Sequence, residues 1–264
     1  MTLPDFVKVF WYAALELGQR TERTPWGAVT TDDRFPLVWD ANNAAVLEPQ
    51  QGLDPEDIEC ALLPALRRAG APYEHVEFWE SSVDTPALAE FRRRGERPAP
   101  DVAMVFDGPL PERPADDVRV EEVTRPDRSF WPWYRDSLRE FGMELSEDVL
   151  DQMVRRTRTV FVPTGLRWFV GSLDGERAGY TSLVSLAGVG YIDDVVTVPA
   201  LRRRGVASAT VRAAVAASEE AGNAHVFLLA ERDGDPQRLY ERLGFRVAAS
   251  IESFTTLLPP EAPA

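Results

Sequence analysis

The sequence predicts a mixed α/β fold built as two tandem domains, each a mostly antiparallel central sheet flanked by helices. Three observations carry this expectation. The run from Asp107 to Asp117, with Pro109, Pro111 and Pro114 among charged residues, has nothing to pack and divides the chain. The two sides share a faint repeat, with AGAPYEHVEFWESS before ALAEFRRRG in the first half and AGNAHVFLLAER before QRLYERLGF in the second. His75 precedes Phe91 by 16 residues, His225 precedes Tyr240 by 15, and each aromatic stands four residues before a glycine, Gly95 or Gly244. Finally, both halves run helix, glycine, strand, short helix, glycine, strand. The expected domains are residues 1–110 and 117–258, followed by a disordered tail at 259–264.

Composition narrows the function. Of 264 residues 44% are apolar, enough to bury two modest cores. Lysine and arginine number 29 against 43 acidic residues, a formal charge of −14 that disfavours a phosphate-tracking surface. Neither nucleic acid nor an anionic membrane is an expected partner. Cys60 is the only cysteine, so no intrachain disulfide forms. No Cys/His spacing points to a metal, and a reducing, cytoplasmic location is expected. The N-terminus, MTLPDFVKVFWYAALELGQR, is interrupted by Lys8 and reads as a helix rather than a targeting segment. No stretch reaches the roughly 18–20 apolar residues of a membrane span.

In the second half a strand is expected over Val118 to Val123, then helices over Arg128 to Phe141 and Ser146 to Arg158. Strands follow at Arg167 to Leu173, Arg177 to Leu186 and Gly188 to Val198, the first two joined by a tight turn at Asp174-Gly175. Alanine-rich Arg203 to Ala221 reads as a helix stopped by Gly222, with Val206, Thr210, Val211, Ala214, Val215 and Ser218 on one face. Val226 to Ala230 is a short apolar strand, Pro236 to Arg242 a helix, and Phe245 to Leu257 the closing strand.

The chemistry concentrates in DVVTVPALRRRGVASA, Asp194 to Ala209. Pro199 ends the strand and a helix opens a few residues later, so the intervening loop presents free backbone N–H groups at a helix N-terminus. Gly205, Ala207 and Ser208 leave room for an extended phosphate, while the helix dipole and Arg202 to Arg204 supply positive charge. A pyrophosphate fits. Taken in isolation, RRRG is also compatible with a solvated basic helix start. Neither GxGxxG nor GxxxxGK[ST] is present, which argues against a generic nucleotide binder.

Arg202-x-x-Gly205-x-Ala207 matches the [QR]-x-x-G-x-[GA] signature, and the chain from Val118 to Leu257 resembles the GNAT superfamily of N-acyltransferases. Its neighbours agree: the signature follows an apolar strand ending at Val196, Val198 and Pro199, and precedes a strand and LYERLGF, Leu239 to Phe245. The likeness extends to tandem actinobacterial members with a decayed first half. The resemblance implies acetyl-CoA as co-substrate and direct acyl transfer to a primary amine. It implies cofactor contacts from the backbone of Val196, Thr197 and Val198 and from the backbone N–H groups of Arg203, Arg204, Gly205, Val206, Ala207 and Ser208. Tyr240 takes the place of the general acid that protonates the departing thiolate. Asp233 stands where many members carry an asparagine, and a carboxylate cannot donate the corresponding hydrogen bond.

An attacking amine must be neutral, so a carboxylate or a water chain must take its proton. Asp193 and Asp194, adjacent on the central strand and expected to point to opposite faces, are candidate bases, with like charge and partial burial raising the pKa. Glu231, at the end of the next strand, is a third. The acceptor remains open between a small-molecule amine and a peptide amine, and the acyl group between acetyl and longer chains. The alternative is a CoA-binding regulatory or scaffold protein without turnover.

In the first half the segment matching the phosphate loop is QGLDPED, Gln51 to Asp57, with three acids and no arginine, and Glu96 replaces the phenylalanine of the GF pair. That half is expected to be a copy that no longer binds CoA. Trp26, Trp39, Trp79, Trp131 and Trp133 are candidates to line an apolar acceptor cleft, with core packing the competing role. Cys60 is expected in the core. An exposed aromatic surface on the first half would allow a homodimer.

Overall fold

The computed structural model describes residues 2–94, 99–111, 117–141 and 145–258. In chain order they form α1 (Asp5–Leu15), β1 (Arg20–Thr24), β2 (Gly27–Thr31), β3 (Asn43–Val46), α2 (Pro55–Ala69), β4 (Tyr73–Phe78), α3 (Pro86–Arg93) and β5 (Ala99–Phe106). Next come β6 (Arg119–Val123), α4 (Phe130–Ser137), α5 (Glu147–Arg156), β7 (Arg167–Leu173), β8 (Glu176–Leu186) and β9 (Val189–Thr197). The chain closes with α6 (Val206–Glu220), β10 (His225–Glu231), α7 (Asp235–Arg242) and β11 (Phe245–Leu257). Two compact units result, residues 1–103 with 230–232 and 247–264, and residues 104–229 with 233–246.

In the first unit β1, β2 and β3 pair antiparallel, β3 and β4 pair parallel across α2, and β11 joins β4 antiparallel. Helix α2 starts where Asp54 and Asp57 close a capping box with Pro55 in the first turn, and stops at Gly70 in the left-handed region. It buries Ile58, Leu62 and Leu66 against Val29, Val46, Val76 and Phe78, each such side chain contributing roughly 1.5–3 kcal/mol. Cys60 was expected in this core. It is exposed, because two residues beyond Ile58 the helix has turned to its opposite side.

The second unit carries the antiparallel strands β6, β7, β8 and β9, with β10 parallel to β9 across α6. Both central residues of the Asp174-Gly175 turn have positive φ, as a two-residue hairpin requires. Helix α5 is shorter than its sequence pattern and continues as a π-helical turn, Thr157–Phe161. The repeat is visible in the topology. β2-β3-α2-β4-α3 and β8-β9-α6-β10-α7 follow the same order, α2 and α6 are each 15 residues long, and His75 and His225 both lie on the strand after that helix.

The expected division at the 107–117 linker differs from the compact units at the closing strand. Residues 252–257 of β11 pair with 73–78 of β4, from Glu252↔Phe78 to Leu257↔Tyr73, so the end of the chain belongs to the first unit. Side chains explain the choice. Phe254 packs against Phe78 and Phe91 at ring distances of 5.9 and 5.7 Å. Arg92 of α3 grips Glu252 through two hydrogen bonds, Nε to Oε2 at 2.9 Å and Nη2 to Oε1 at 2.6 Å. Glu96, residues 112–116 of the linker and the tail 259–264 lie outside the described residues.

The five tryptophans settle within their own units. Trp26 and Trp79 are buried, Trp39 packs on the first core, and Trp131 and Trp133 are half-buried in an aromatic cluster with Phe130, Tyr134, Trp168 and Tyr180. Each covers the elements beside it, which is the core-packing role weighed for them. Among the described residues the exposed large apolar side chains are Val9 and Leu257. No described helix is long and apolar enough to cross a membrane.

The Arg92 guanidinium holds the Glu252 carboxyl below the usual glutamate range. A depressed folded-state pKa stabilises above the unfolded value and is lost as pH falls through it. Arg92→Ala is therefore expected to cost about 2 kcal/mol in urea denaturation at neutral pH, and the difference from wild type is expected to shrink below about pH 4. An unchanged midpoint at neutral pH would show that the pair does not fasten β11.

Candidate functional site in the second unit

The strand β9 does not run straight. Tyr180 pairs with Val196 and Ser182 with Asp193, so Asp194 and Val195 together face the single residue Thr181, and Asp194 takes φ 47°. This is a β-bulge, which bends the strand and re-aims the side chains at its end. Gly179 makes room for it: a Cβ there would lie 2.2 Å from the Val196 carbonyl oxygen and 3.0 Å from the Thr197 Cα. Beyond the bulge the chain turns at Pro199–Leu201, Arg202 donates from Nε to the Thr197 carbonyl at 3.3 Å, and Gly205 enters α6 with φ 82°.

Gly205 is the N-cap of α6 and no side chain caps this helix, so its first N–H groups point outward with the positive end of the dipole. They open onto a groove of about 610 Å³ between the end of β9 and α7. The groove brings together Val196, Thr197, Arg203, Gly205, Val206, Ala207, Ser208 and Tyr240 of the expected set. It also collects Arg202, Arg238 and Arg242, so four arginines face it against one acid, Asp235. In a chain of charge −14 this is a local inversion of sign that suits an anionic ligand.

Three members of the expected cofactor set do not line the groove. Val198 spends its backbone N–H on the Ala178 carbonyl at 2.9 Å, and the Arg204 side chain pairs with Asp174 at 3.4 Å. Asp233, with φ 62°, donates its N–H to the Gln237 Oε1 at 2.8 Å and does not line the groove; the acid that does is Asp235. Arg238 and Arg242 were missed, although their spacing of four on a helix that also carries Tyr240 was readable as one charged side of α7.

The candidate acid and bases are placed as follows. Tyr240 on α7 is buried, and its phenol is raised well above the ordinary range by burial and then by the negative charge of Asp193. Asp193 accepts from the Tyr191 hydroxyl at 3.2 Å but is exposed, so the partial burial expected to raise its pKa is absent. Asp194 is half-buried and accepts a hydrogen bond from the Tyr134 hydroxyl at 3.1 Å. Burial foremost, then Asp194, push the phenols of Tyr134 and Tyr180 well up, and Tyr180 bonds the Ser137 hydroxyl at 2.9 Å. Glu231 is exposed and outside the groove lining; its electrostatic effect falls on Asp101 of the first unit.

Residues 127–245, which span this groove, match the Acetyltransferase (GNAT) family. The second unit is thus similar to GNAT acetyltransferase domains over that span. Solved structures agree on the fold. The chain is 20% identical to a GCN5-related N-acetyltransferase from Kribbella flavida, with a TM-score of 0.67 over 99% of this chain and 97% of that one. A functionally unknown conserved protein from Staphylococcus epidermidis is 12% identical at a TM-score of 0.70, covering 91% and 94% of the two chains. A tandem GNAT protein from the clavulanic acid biosynthesis pathway is 17% identical at 0.53, covering 78% and 71%. A search of curated proteins returned no match. The match supports acyl transfer in general, and the bulge, the open helix start and Tyr240 all lie within the matched residues.

Because a Cβ 2.2 Å from the Val196 carbonyl oxygen forces backbone to shift, Gly179→Ala is expected to displace the bulge and cost roughly 3 kcal/mol in chemical denaturation. A variant of wild-type stability would show that β9 adjusts freely.

Proposed function

We propose that the GNAT domain transfers an acetyl group from acetyl-CoA to a primary amine by direct attack, in the cytoplasm. The observation that carries this reading is the uncapped start of α6, opening with four arginines onto a groove whose other wall holds a buried, protonated tyrosine. The donor set fits a pyrophosphate: backbone N–H groups of Val206 to Ser208, the guanidinium groups of Arg202 and Arg203, and no bulky side chain at Gly205. When bound, acetyl-CoA supplies an activated acyl group and a thiol leaving group. Tyr240 holds a proton at its phenol oxygen for delivery to a departing thiolate, and its high pKa keeps that proton in place at neutral pH.

Asp193 and Asp194 stand at the bend of β9 and serve as acceptors for the proton an ammonium group must lose. Their negative charge favours a cationic amine, small-molecule or peptide, as acceptor. Asp194 is the better positioned of the two, since the Tyr134 hydroxyl fixes its carboxylate. A CoA-binding protein without turnover is the second reading. The observation in its favour is that Val198 and Asp233 do not present the expected contacts to the groove.

Gly205→Glu places a carboxylate at the helix start and is expected to abolish acetyl-CoA binding in calorimetry while leaving the circular dichroism spectrum unchanged; retained affinity in the folded variant would remove the cofactor site from this groove. Tyr240→Phe is expected to lower thiol release with a responsive amine by roughly 100-fold or more while changing acetyl-CoA affinity little. Equal turnover would place the acid elsewhere. Acetyl-CoA binding without thiol release across a panel of amines would favour the second reading.

A further inference from the structure

The first unit holds a cluster that acyl transfer does not use. His75 and Glu77 alternate on β4 and so project to the same face of the strand, and Asp40 comes from the turn Trp39–Ala41. One ligand atom from each, an imidazole nitrogen and two carboxylate oxygens, lies within 4.8 Å of the others. We propose that Asp40, His75 and Glu77 form a binding site for one divalent first-row transition-metal ion, such as zinc.

The side chains are aimed from outside the cluster. The His75 Nδ1 is 2.7 Å from the Thr255 hydroxyl on β11, which fixes the ring and directs Nε2 toward Glu77. The Trp79 indole N–H donates to Glu77 Oε2 at 2.9 Å and leaves Oε1 turned toward the imidazole. His75 is buried, and the Trp39 ring packs 6.3 Å from it. The turn bearing Asp40 is pinned by buried Asn42, whose side chain donates to the Phe35 and Val38 carbonyls at 2.9 and 3.1 Å and accepts from the Asp32 N–H at 2.9 Å. An imidazole held by its second nitrogen, beside a carboxylate held by its second oxygen, is the arrangement in which metal ligands are kept oriented.

The distances agree. Ligand atoms about 2.1 Å from a tetrahedral zinc stand about 3.4 Å apart. His75 Nε2 and Glu77 Oε1 are already 3.3 Å apart. Asp40 is exposed, and its ligand oxygen lies within 4.8 Å of the other two atoms, a gap that side-chain rotation would close. A dipositive ion neutralises both carboxylates of the site and uses the imidazole lone pair. One nitrogen and two oxygens suit zinc, cobalt or manganese better than magnesium. The expectation of no metal came from Cys/His spacing, and a set drawn from a turn and alternate strand positions has no such spacing to read.

The test uses the full chain treated with chelator and then titrated with Zn²⁺ by calorimetry and with Co²⁺ by visible absorption. One ion per chain is expected, with a raised Tm and a cobalt spectrum lacking thiolate charge transfer. Asp40→Asn, Glu77→Gln and His75→Ala are each expected to weaken binding tenfold or more, while Cys60→Ser and His225→Ala leave it unchanged. Asp40 is exposed, so its variant remains informative even if the buried His75 variant fails to fold. No saturable binding to wild type, or equal affinity in Asp40→Asn and Glu77→Gln, would overturn the site. So would loss of binding in Cys60→Ser or His225→Ala.

Discussion

The functional half depends on one local constraint, a helix that begins without a cap. Gly205 takes the left-handed conformation that lets the chain turn from β9 into α6, and it brings no side chain to satisfy the first N–H groups. Those donors are tolerated only because they face an open groove. Around them the chain arranges what an anionic ligand requires: small residues at Val206 to Ser208, arginines on the loop and on α7, and a net positive lining in an acidic protein.

The first unit shows the same topological position in its closed form. Helix α2 follows β3 as α6 follows β9, yet the Asp57 carboxylate accepts from the Asp54 N–H at 3.1 Å and the capping box satisfies the helix start from within. Negative charge occupies the end of the helix where an anion would bind, and the arginines of the other loop are absent. One architecture thus yields a receptive helix terminus in one unit and a self-satisfied one in the other, through a change of a few side chains at the cap.

Chemistry at the bend of β9 follows from a second backbone irregularity. A regular strand would send Asp193 and Asp194 to opposite faces by simple alternation. The bulge gives them separate partners instead, Tyr191 and the field at Tyr240 for Asp193, and Tyr134 for Asp194. Burial keeps the three phenols protonated beside these charges, so the site pairs fixed proton donors with fixed acceptors.

The sequence by itself determined the local elements and the loop that opens α6. The Asp174-Gly175 turn, the alanine-rich helix stopped at Gly222, and the strand, loop and helix around Arg202 to Ser208 all rest on short-range physics: backbone preferences, side-chain period and cap chemistry within a few residues. The order of elements in the two halves was legible for the same reason. Tertiary structure decided what depends on distant partners. The closing strand joins the first unit because Phe254 and Glu252 find Phe78, Phe91 and Arg92 far back in the chain. The bulge at Asp194 needed Gly179 on the neighbouring strand, Cys60 faced outward because of the phase of α2 against its sheet, and Val198 lost its free N–H to Ala178. Asp40, His75 and Glu77 met only when a turn folded over β4. Pairing across such separations is selected by the sum of packing over the whole unit, which no window of sequence contains.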